Sequence, residues 1–231
     1  IGLWISGDEL VPPGQARPPG GIWESNGTLL ETMLRALGQR VDQRRVVADQ
    51  PESLRTALSD LARCCDVVVS TGGVSAGDSD WIRTLVAELG AVDFWKLFLR
   101  PGRPFAFGTL GDEVPFFGLP GNPVAAAITA LQLLWPALQA LEGQTQPELF
   151  PRLEVQLTDP LPRRPGRPEL ARARLETNDK GDLLARIDGS QASSRIGSLQ
   201  GADLLLELPA SAGSLEPGTR VWAQLIRRRL F

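Results

Sequence analysis

The chain has 231 residues, 42% of them apolar and 22% charged, with a formal net charge of −3. That length is one large domain or two modest ones at roughly 100–200 residues each, and the composition excludes wholesale disorder. The slightly acidic balance argues against a dedicated nucleic-acid binder, and no run of about 18 uninterrupted apolar residues marks a membrane span. There is no histidine, which removes Ser-His-Asp and Cys-His nucleophile systems and imidazole metal sites. The only cysteines, Cys64 and Cys65, are neighbours. They form neither a disulfide framework nor a zinc spacing, so a cytoplasmic location is expected. The N-terminus has no signal-peptide pattern. It begins without Met in a strand-like run, and a fragment or trimmed chain is expected.

Ile1–Ser6 is a short apolar run broken by Gly7-Asp8-Glu9, and residues 11–21 hold too many prolines and glycines for a regular element. Ser25 or Asn26 can cap a helix to Leu37, with Leu29, Leu30, Met33, Leu34 and Leu37 on one face and Gly38 as its stop. Val41–Ala48 reads as a strand. Pro51 opens a second helix striped by Leu54, Leu58 and Leu61. Asp66–Ser70 is a continuous β-branched run, typical of a strand covered on both faces. After the loop Thr71–Asp80, a helix over Trp81–Leu89 is followed by strand-like runs near 91–99, 104–110 and 114–119. Asn122 and Pro123 open a long helix to about Leu141, with a kink expected at Pro136.

Alternating strands and helices predict a three-layer α/β/α domain with a mostly parallel sheet. Beyond Gly143 only strand-like runs recur, at Leu153–Thr158, Leu170–Thr177, Leu183–Ile187, Leu204–Leu208 and Val221–Ile226, which predicts a small all-β, barrel-like domain. The boundary is placed between residues 1–146 and 147–231. Net charge changes there from −5 over residues 1–147 to +2 over 148–231.

In a doubly wound sheet, ligands bind beyond the carboxyl ends of the strands. Four segments fall there. Ser6-Gly7-Asp8-Glu9 offers adjacent carboxylates for Mg²⁺ or substrate, or is a solvated turn. Ser70-Thr71-Gly72-Gly73-Val74-Ser75-Ala76-Gly77-Asp78-Ser79-Asp80 offers an anion nest with two carboxylates, or is a capped strand–helix turn. It is neither a Walker A loop nor a GxGxxG fingerprint. Lys96, Arg100 and Arg103 are three cations in eight residues, and Lys96 is one of only two lysines in the chain. They form an oxyanion-binding rim or a solvated basic edge. Pro120-Gly121-Asn122-Pro123 leads a strand into a helix N-terminus, which attracts anions. Together these suit a metal-assisted reaction on a phosphate-bearing ligand.

The four motifs, in this order and spacing, resemble the MoeA-type molybdopterin molybdenumtransferases, whose relatives include the gephyrin E domain. The match spans about residues 1–143, and the β-rich tail, through Pro165-Gly166-Arg167 and Gln191-Ala192-Ser193, is similar to the C-terminal domain of that family. The resemblance implies a transferase of molybdenum cofactor biosynthesis, inserting molybdate into adenylylated molybdopterin with Mg²⁺ assistance and release of AMP. It implies Asp8, Glu9, Asp49, Asp80 and Lys96 as catalytic groups, and Asp8 and Asp80 as Mg²⁺ ligands. It implies Thr71, Gly72, Gly73, Ser75, Gly77, Asp78, Arg100, Arg103, Pro120, Gly121, Asn122, Pro123, Arg167 and Ser193 as substrate-binding. A homodimer in the full-length form and a molybdopterin adenylyltransferase partner are further implications, with no nucleic acid and no membrane partner. Two departures stand out. Arg100 and Arg103 replace the lysines usual on the rim, which changes coordination geometry, and the family has further domains before this region.

Other readings compete. A stand-alone molybdopterin adenylyltransferase would lack the β tail. A non-catalytic scaffold module, as in gephyrin, would need a peptide groove that nothing in the sequence marks. A nucleotide amidase of similar fold would carry a different glycine loop. The five arginines of Arg163–Arg174, without interleaved aromatics, read as a solvated face rather than an RNA site.

Overall fold

A computed structural model describes residues 1–72, 80–111, 113–187 and 189–227. The chain divides into two compact units, Ile1–Leu97 with Gly102–Trp135, and Phe98–Pro101 with Pro136–Phe231.

The first unit is an α/β/α sandwich. β1 (Gly2–Ser6) is followed by two short strands, β2 (Leu10–Val11) and β3 (Ile22–Trp23), which pair with each other across the irregular Pro/Gly-rich segment between them. α1 (Asn26–Ala36) leads to β4 (Gln43–Val47), and α2 (Pro51–Cys64) to β5 (Val68–Thr71). α3 (Asp80–Leu89) runs directly into β6 (Gly90–Lys96), and β7 (Pro104–Leu110) and β8 (Val114–Leu119) complete a sheet of order β4-β1-β5-β8-β7-β6. β4, β1, β5 and β8 are parallel, and β7 is antiparallel to both neighbours, so β6 points the same way as β8.

Periodicity explains the layers. Leu30 and Leu34 of α1, and Leu54, Leu58 and Leu61 of α2, are buried at helical spacing. α2 packs on β1, β4 and α3. α1 packs on β1 and on α4 (Pro123–Thr129). β5 is buried at every residue, as its β-branched run predicts. The core between α2, α3 and the sheet centres on Trp4, Val68, Leu85, Val86 and Phe116, each worth about 1.5–3 kcal/mol of burial.

The final helix does not simply kink. α4 passes through a π-helical turn, Ala130–Leu134, into α5 (Trp135–Leu141). Pro136 lacks the amide for an ordinary helical bond, and its ring crowds the carbonyl four residues earlier; a wider turn relieves both problems. Pro123–Leu141, at 19 residues, is long and apolar enough to cross a membrane by length and composition, but every residue from Val124 to Ala130 is buried in the fold.

The second unit holds a closed barrel of β9 (Arg152–Leu157), β10 (Glu169–Thr177), β11 (Leu183–Arg186), β12 (Leu204–Leu208) and β13 (Arg220–Leu225). Alternate residues fill it: Val155 and Leu157, Ala171 and Ala173, Leu204, Leu206 and Leu208. Small alanines on β10 opposite leucines on β12 fit the narrow interior.

The stretch Arg163–Arg174 is only in part the solvated face that the sequence suggests: Arg164 is exposed, but Arg163 and Arg172 are not. The Arg163 side chain is 2% exposed and donates to the carbonyls of Pro209, Ala212 and Arg167. Arg172 is equally buried. Backbone carbonyls, the Ser198 hydroxyl and, for Arg163, the carboxylate of Glu169 engage these guanidinium groups in part, which charge counting along a sequence does not detect.

Cys64 and Cys65 end α2 with sulfurs 3.6 Å apart, both free, Cys64 exposed and Cys65 buried. Burial, reinforced by the Cys64 side chain, pushes the Cys65 thiol up to about 11. A thiol held protonated in the fold stabilises below its unfolded value, near 9, and that stability is lost as pH rises through 11. A disulfide-exchange reagent at pH 8 is expected to titrate one thiol rapidly, at Cys64, and the second only after unfolding. Two equally fast thiols in the wild-type chain, or a fast thiol that survives Cys64→Ser, contradict this.

Candidate functional site

The loops after β1 and β5 leave the sheet in opposite senses, towards β4 through α1 on one face and towards β6 through α3 on the other. Adjacent strands with diverging connections open a crevice at their carboxyl ends. Four parallel strand ends, together with the end of β6 and the start of β7, share this edge.

The backbones meet closely there. Gly72 has φ +91°, and a Cβ on it would lie 2.6 Å from the Ser6 carbonyl oxygen. Gly121 lies on its other side, with a Cβ position 3.5 Å from the Gly72 Cα. Thr71, itself buried, donates to the Pro120 carbonyl at 3.0 Å. Asn26, the first residue of α1, donates its side-chain amide to Thr71 Oγ1 at 2.9 Å and to the Gly121 carbonyl at 2.6 Å. One side chain thus ties the ends of β5 and β8 to the start of α1.

This use of Asn26 displaces the cap expected at Ser25 or Asn26. Neither makes a side-chain cap; Glu24 accepts from the Gly27 amide at 2.7 Å instead. Glu24 is 2% exposed and paired with Arg44 of β4, which anchors the helix start to the sheet. The sequence marks Asn26 only as a helix cap and gives no sign of Glu24, whose place depends on Arg44 of β4.

The charged residues flank the crevice by sign. Asp8 is exposed, and its Oδ1 accepts from the Asp49 amide at 2.9 Å, joining the loops after β1 and β4. Glu9 is exposed beside it. Across the edge, Lys96 ends β6 opposite Pro104 of β7, and the 97–103 turn is closed by the Leu97 amide donating to the Arg103 carbonyl at 2.6 Å. Lys96 and Arg103 are exposed and have no ion-pair partner among the described residues. Gly102, with φ +104°, holds the turn against Thr129, where a side chain would collide. Pro120 is buried, Asn122 is extended, and Pro123 is the first residue of α4. The hydroxyl of Ser6 is buried without a hydrogen-bond partner among the described residues, 3.7 Å from the Cβ position of Gly72. An unsatisfied hydroxyl at a crevice is a ready ligand contact.

Other expected residues lie elsewhere. Gly73, Ser75, Gly77 and Asp78 fall outside the described residues, as does the Asp80 side chain, although Asp80 begins α3. Arg100, Arg167 and Ser193 belong to the second unit. There Arg100, after which the peptide to Pro101 is cis, lies 3.7 Å from Glu169, and Arg167 donates to the Leu99 carbonyl at 2.9 Å. Ser193 is half-buried in the segment before the 3₁₀ turn Ile196–Leu199.

No three His, Cys, Asp or Glu side chains cluster as a metal site among the described residues. Mg²⁺ asks for less: one or two carboxylates, with water and phosphate oxygens completing its shell. Asp8 and Glu9, exposed at the edge where Asp49 closes on the same loop, fit that partial demand.

Fold and crevice define a doubly wound α/β ligand-binding domain followed by a five-stranded barrel. Residues 2–140 match the family model of a probable molybdopterin binding domain, and residues 154–226 that of the MoeA C-terminal region, domain IV. The chain therefore belongs to the MoeA-type molybdopterin molybdenumtransferase family, as its four motifs suggest. It is 31% identical over 221 residues to the molybdopterin molybdenumtransferase of Haemophilus influenzae, covering 96% of this chain and 54% of the relative. It is 34% identical over 212 residues to the molybdenum cofactor synthesis protein cinnamon of Drosophila melanogaster, covering 91% and 35%. The crystal structure of a MoeA protein from Pyrococcus horikoshii superposes with a TM-score of 0.80 at 28% identity, covering 99% of this chain and 54% of that one. The chain spans about half or less of the length of these relatives.

Gly72→Ala is expected to cost about 1–3 kcal/mol, because it combines a left-handed backbone with a collision against the Ser6 carbonyl. Gly121→Ala, with 3.5 Å of room, is expected to cost less than about 1 kcal/mol. Denaturant unfolding of both variants checks this, and equal losses refute the close-approach argument.

Proposed function

We propose that the chain acts in molybdenum cofactor biosynthesis as a molybdenumtransferase, binding adenylylated molybdopterin at the carboxyl edge of the sheet and inserting molybdate with release of AMP. The observation that carries the reading is the division of charge at that edge. Among the described residues Lys96 and Arg103 stand without ion-pair partners on one side, and Asp8 with Asp49 on the other, in a chain of this family. The match of residues 154–226 to MoeA domain IV favours this reading over a stand-alone adenylyltransferase.

Both substrates are anionic. Lys96 and Arg103 offset the charge of the phosphates and of molybdate, with the N-terminus of α4 behind Asn122 adding its partial positive charge. Thr71, Gly72, Pro120 and Gly121 form the rigid floor that lets the pterin phosphate approach backbone, while Gly73, Ser75, Gly77 and Asp78, outside the described residues, are assigned to substrate binding from the family resemblance alone. Asp8 and Asp80 would hold Mg²⁺, which when bound polarises phosphate oxygens. Glu9 and Asp49 orient the attacking group or hold its proton. Arg100, Arg167 and Ser193, which the family resemblance assigns to substrate binding, lie in the second unit. We further assign residues 1–146 to the pterin-binding domain and 147–231 to the barrel domain, with a cytoplasmic homodimer and an adenylyltransferase donor in the full-length context.

The test measures AMP release from adenylylated molybdopterin with Mg²⁺, with and without molybdate, and pterin retained after gel filtration. Molybdate-dependent release supports the whole reading, and retention without release supports the binding half. Lys96→Ala or Arg103→Ala is expected to lower retention about tenfold or more, for loss of one charge-assisted contact. Asp8→Asn is expected to depress release more than retention. Neither release nor retention by the wild-type chain refutes the proposal.

A further inference from the structure

The second unit contains a cavity of about 590 Å³ against the outer wall of the barrel, between β10 and the 189–202 segment. Its walls include Arg172, Arg174, Arg195, Ser190, Ser194 and Ser198, and none of its described lining residues is acidic. Arg172 sits between Ala171 and Ala173, which point into the barrel, so its side chain emerges on the outside. The segment is strapped over it: Gln191 accepts from the Arg172 amide at 2.8 Å and donates to its carbonyl at 3.1 Å, as a neighbouring strand would.

The guanidinium of Arg172 is 98% removed from solvent with its residue, and among the described residues no carboxylate pairs with it. Its Nε donates to Ser198 Oγ at 3.2 Å, and Nη2 reaches the Ser190 and Ala192 carbonyls only at 3.4 Å. Glu169, the acid nearest in its field, is shared by Arg163 at 3.5 Å and Arg100 at 3.7 Å. Burial accordingly pulls the Arg172 pKa down. Nη1 makes no hydrogen bond among the described residues, and neither does the Arg195 guanidinium or the Ser194 hydroxyl, both exposed on the cavity wall. A buried cation without a counter-ion is costly. Two guanidinium groups and a hydroxyl around one cavity form a donor set for a tetrahedral oxyanion.

We propose that this cavity is an oxyanion-binding site, separate from the sheet edge, that takes a phosphate group either as the free inorganic ion or as a phosphomonoester. The volume accommodates an organic body beside the phosphate, within the range of small-molecule sites.

The test titrates the 231-residue chain calorimetrically with inorganic phosphate and with 5′-AMP at low ionic strength. A Lys96→Ala/Arg103→Ala background silences the sheet edge. Saturable binding of one equivalent is expected to persist in that background. Arg195→Ala and Ser194→Ala, both at exposed positions that leave the fold intact, are expected to weaken it about tenfold or more each. Tighter binding of 5′-AMP assigns the phosphomonoester, and equal binding assigns the free ion; both support the site. Absence of binding in the silenced background overturns the proposal, as does binding that Arg195→Ala and Ser194→Ala leave unchanged. Failure of the AMP-release assay leaves this result standing, because the sheet-edge cations are absent from the tested variant.

Discussion

Three stretches of backbone converge between β1, β5 and β8, and the candidate site depends on how near they come. The parallel register sets Ile5 beside Thr71 and Thr71 beside Leu119. Beyond it the chain must turn away without a side chain at position 72, since the Ser6 carbonyl occupies that space. Once these segments are in contact, the carboxyl edge is a wall of peptide groups rather than of mobile side chains. Such a wall can come within hydrogen-bonding distance of a phosphate, which is the physical use of glycine at strand ends.

Charge is then distributed by what is already neutralised. Most arginines of the described structure are engaged: Arg44 with Glu24, Arg55 with Glu88, Arg152 with Glu207, Arg186 with Glu176, Arg227 with Asp203. Exposed pairs of this kind contribute little stability, but they remove charge from the long-range field. Cations that have no ion-pair partner among the described residues, such as Lys96 and Arg103, weigh on the local potential at the edge they occupy. The buried Glu24–Arg44 pair has a different function. Desolvation offsets much of its attraction, so its main consequence is geometric: it fixes where α1 begins, and therefore where Asn26 stands.

The elements legible in the sequence were those built by periodicity. The leucine stripe of α2, the β-branched run of β5 and all five barrel strands lie within a few residues of where composition puts them. The turns after β1 and β8 were legible too, because glycine and proline at strand ends have few structural uses. Non-local interactions were not legible. That Asn26 would reach 95 residues along the chain to Gly121 depends on sheet order, which no local pattern encodes. The π turn before Pro136 depends on a helix packed firmly enough to stay continuous rather than break. The buried Arg163 and Arg172 look in sequence like any surface arginines, because the carbonyls they donate to come from distant turns.

Asn26 and Gln191 show why amides, rather than charged groups, hold these loops. Thr71 spends its hydroxyl proton on the Pro120 carbonyl, so its oxygen can only accept from Asn26, and the Gly121 carbonyl can only accept as well. Both contacts demand a donor with two protons on one nitrogen, which an aspartate at this position cannot supply. Gln191 must both donate to and accept from one residue's backbone, which only an amide or a backbone peptide does in that geometry. A lysine could donate in either place, but it would bring a full charge into a partly desolvated position. A neutral amide positions the loop and leaves the electrostatics to residues that face the ligand. In both units, the groups that set geometry are therefore chemically distinct from those that carry charge.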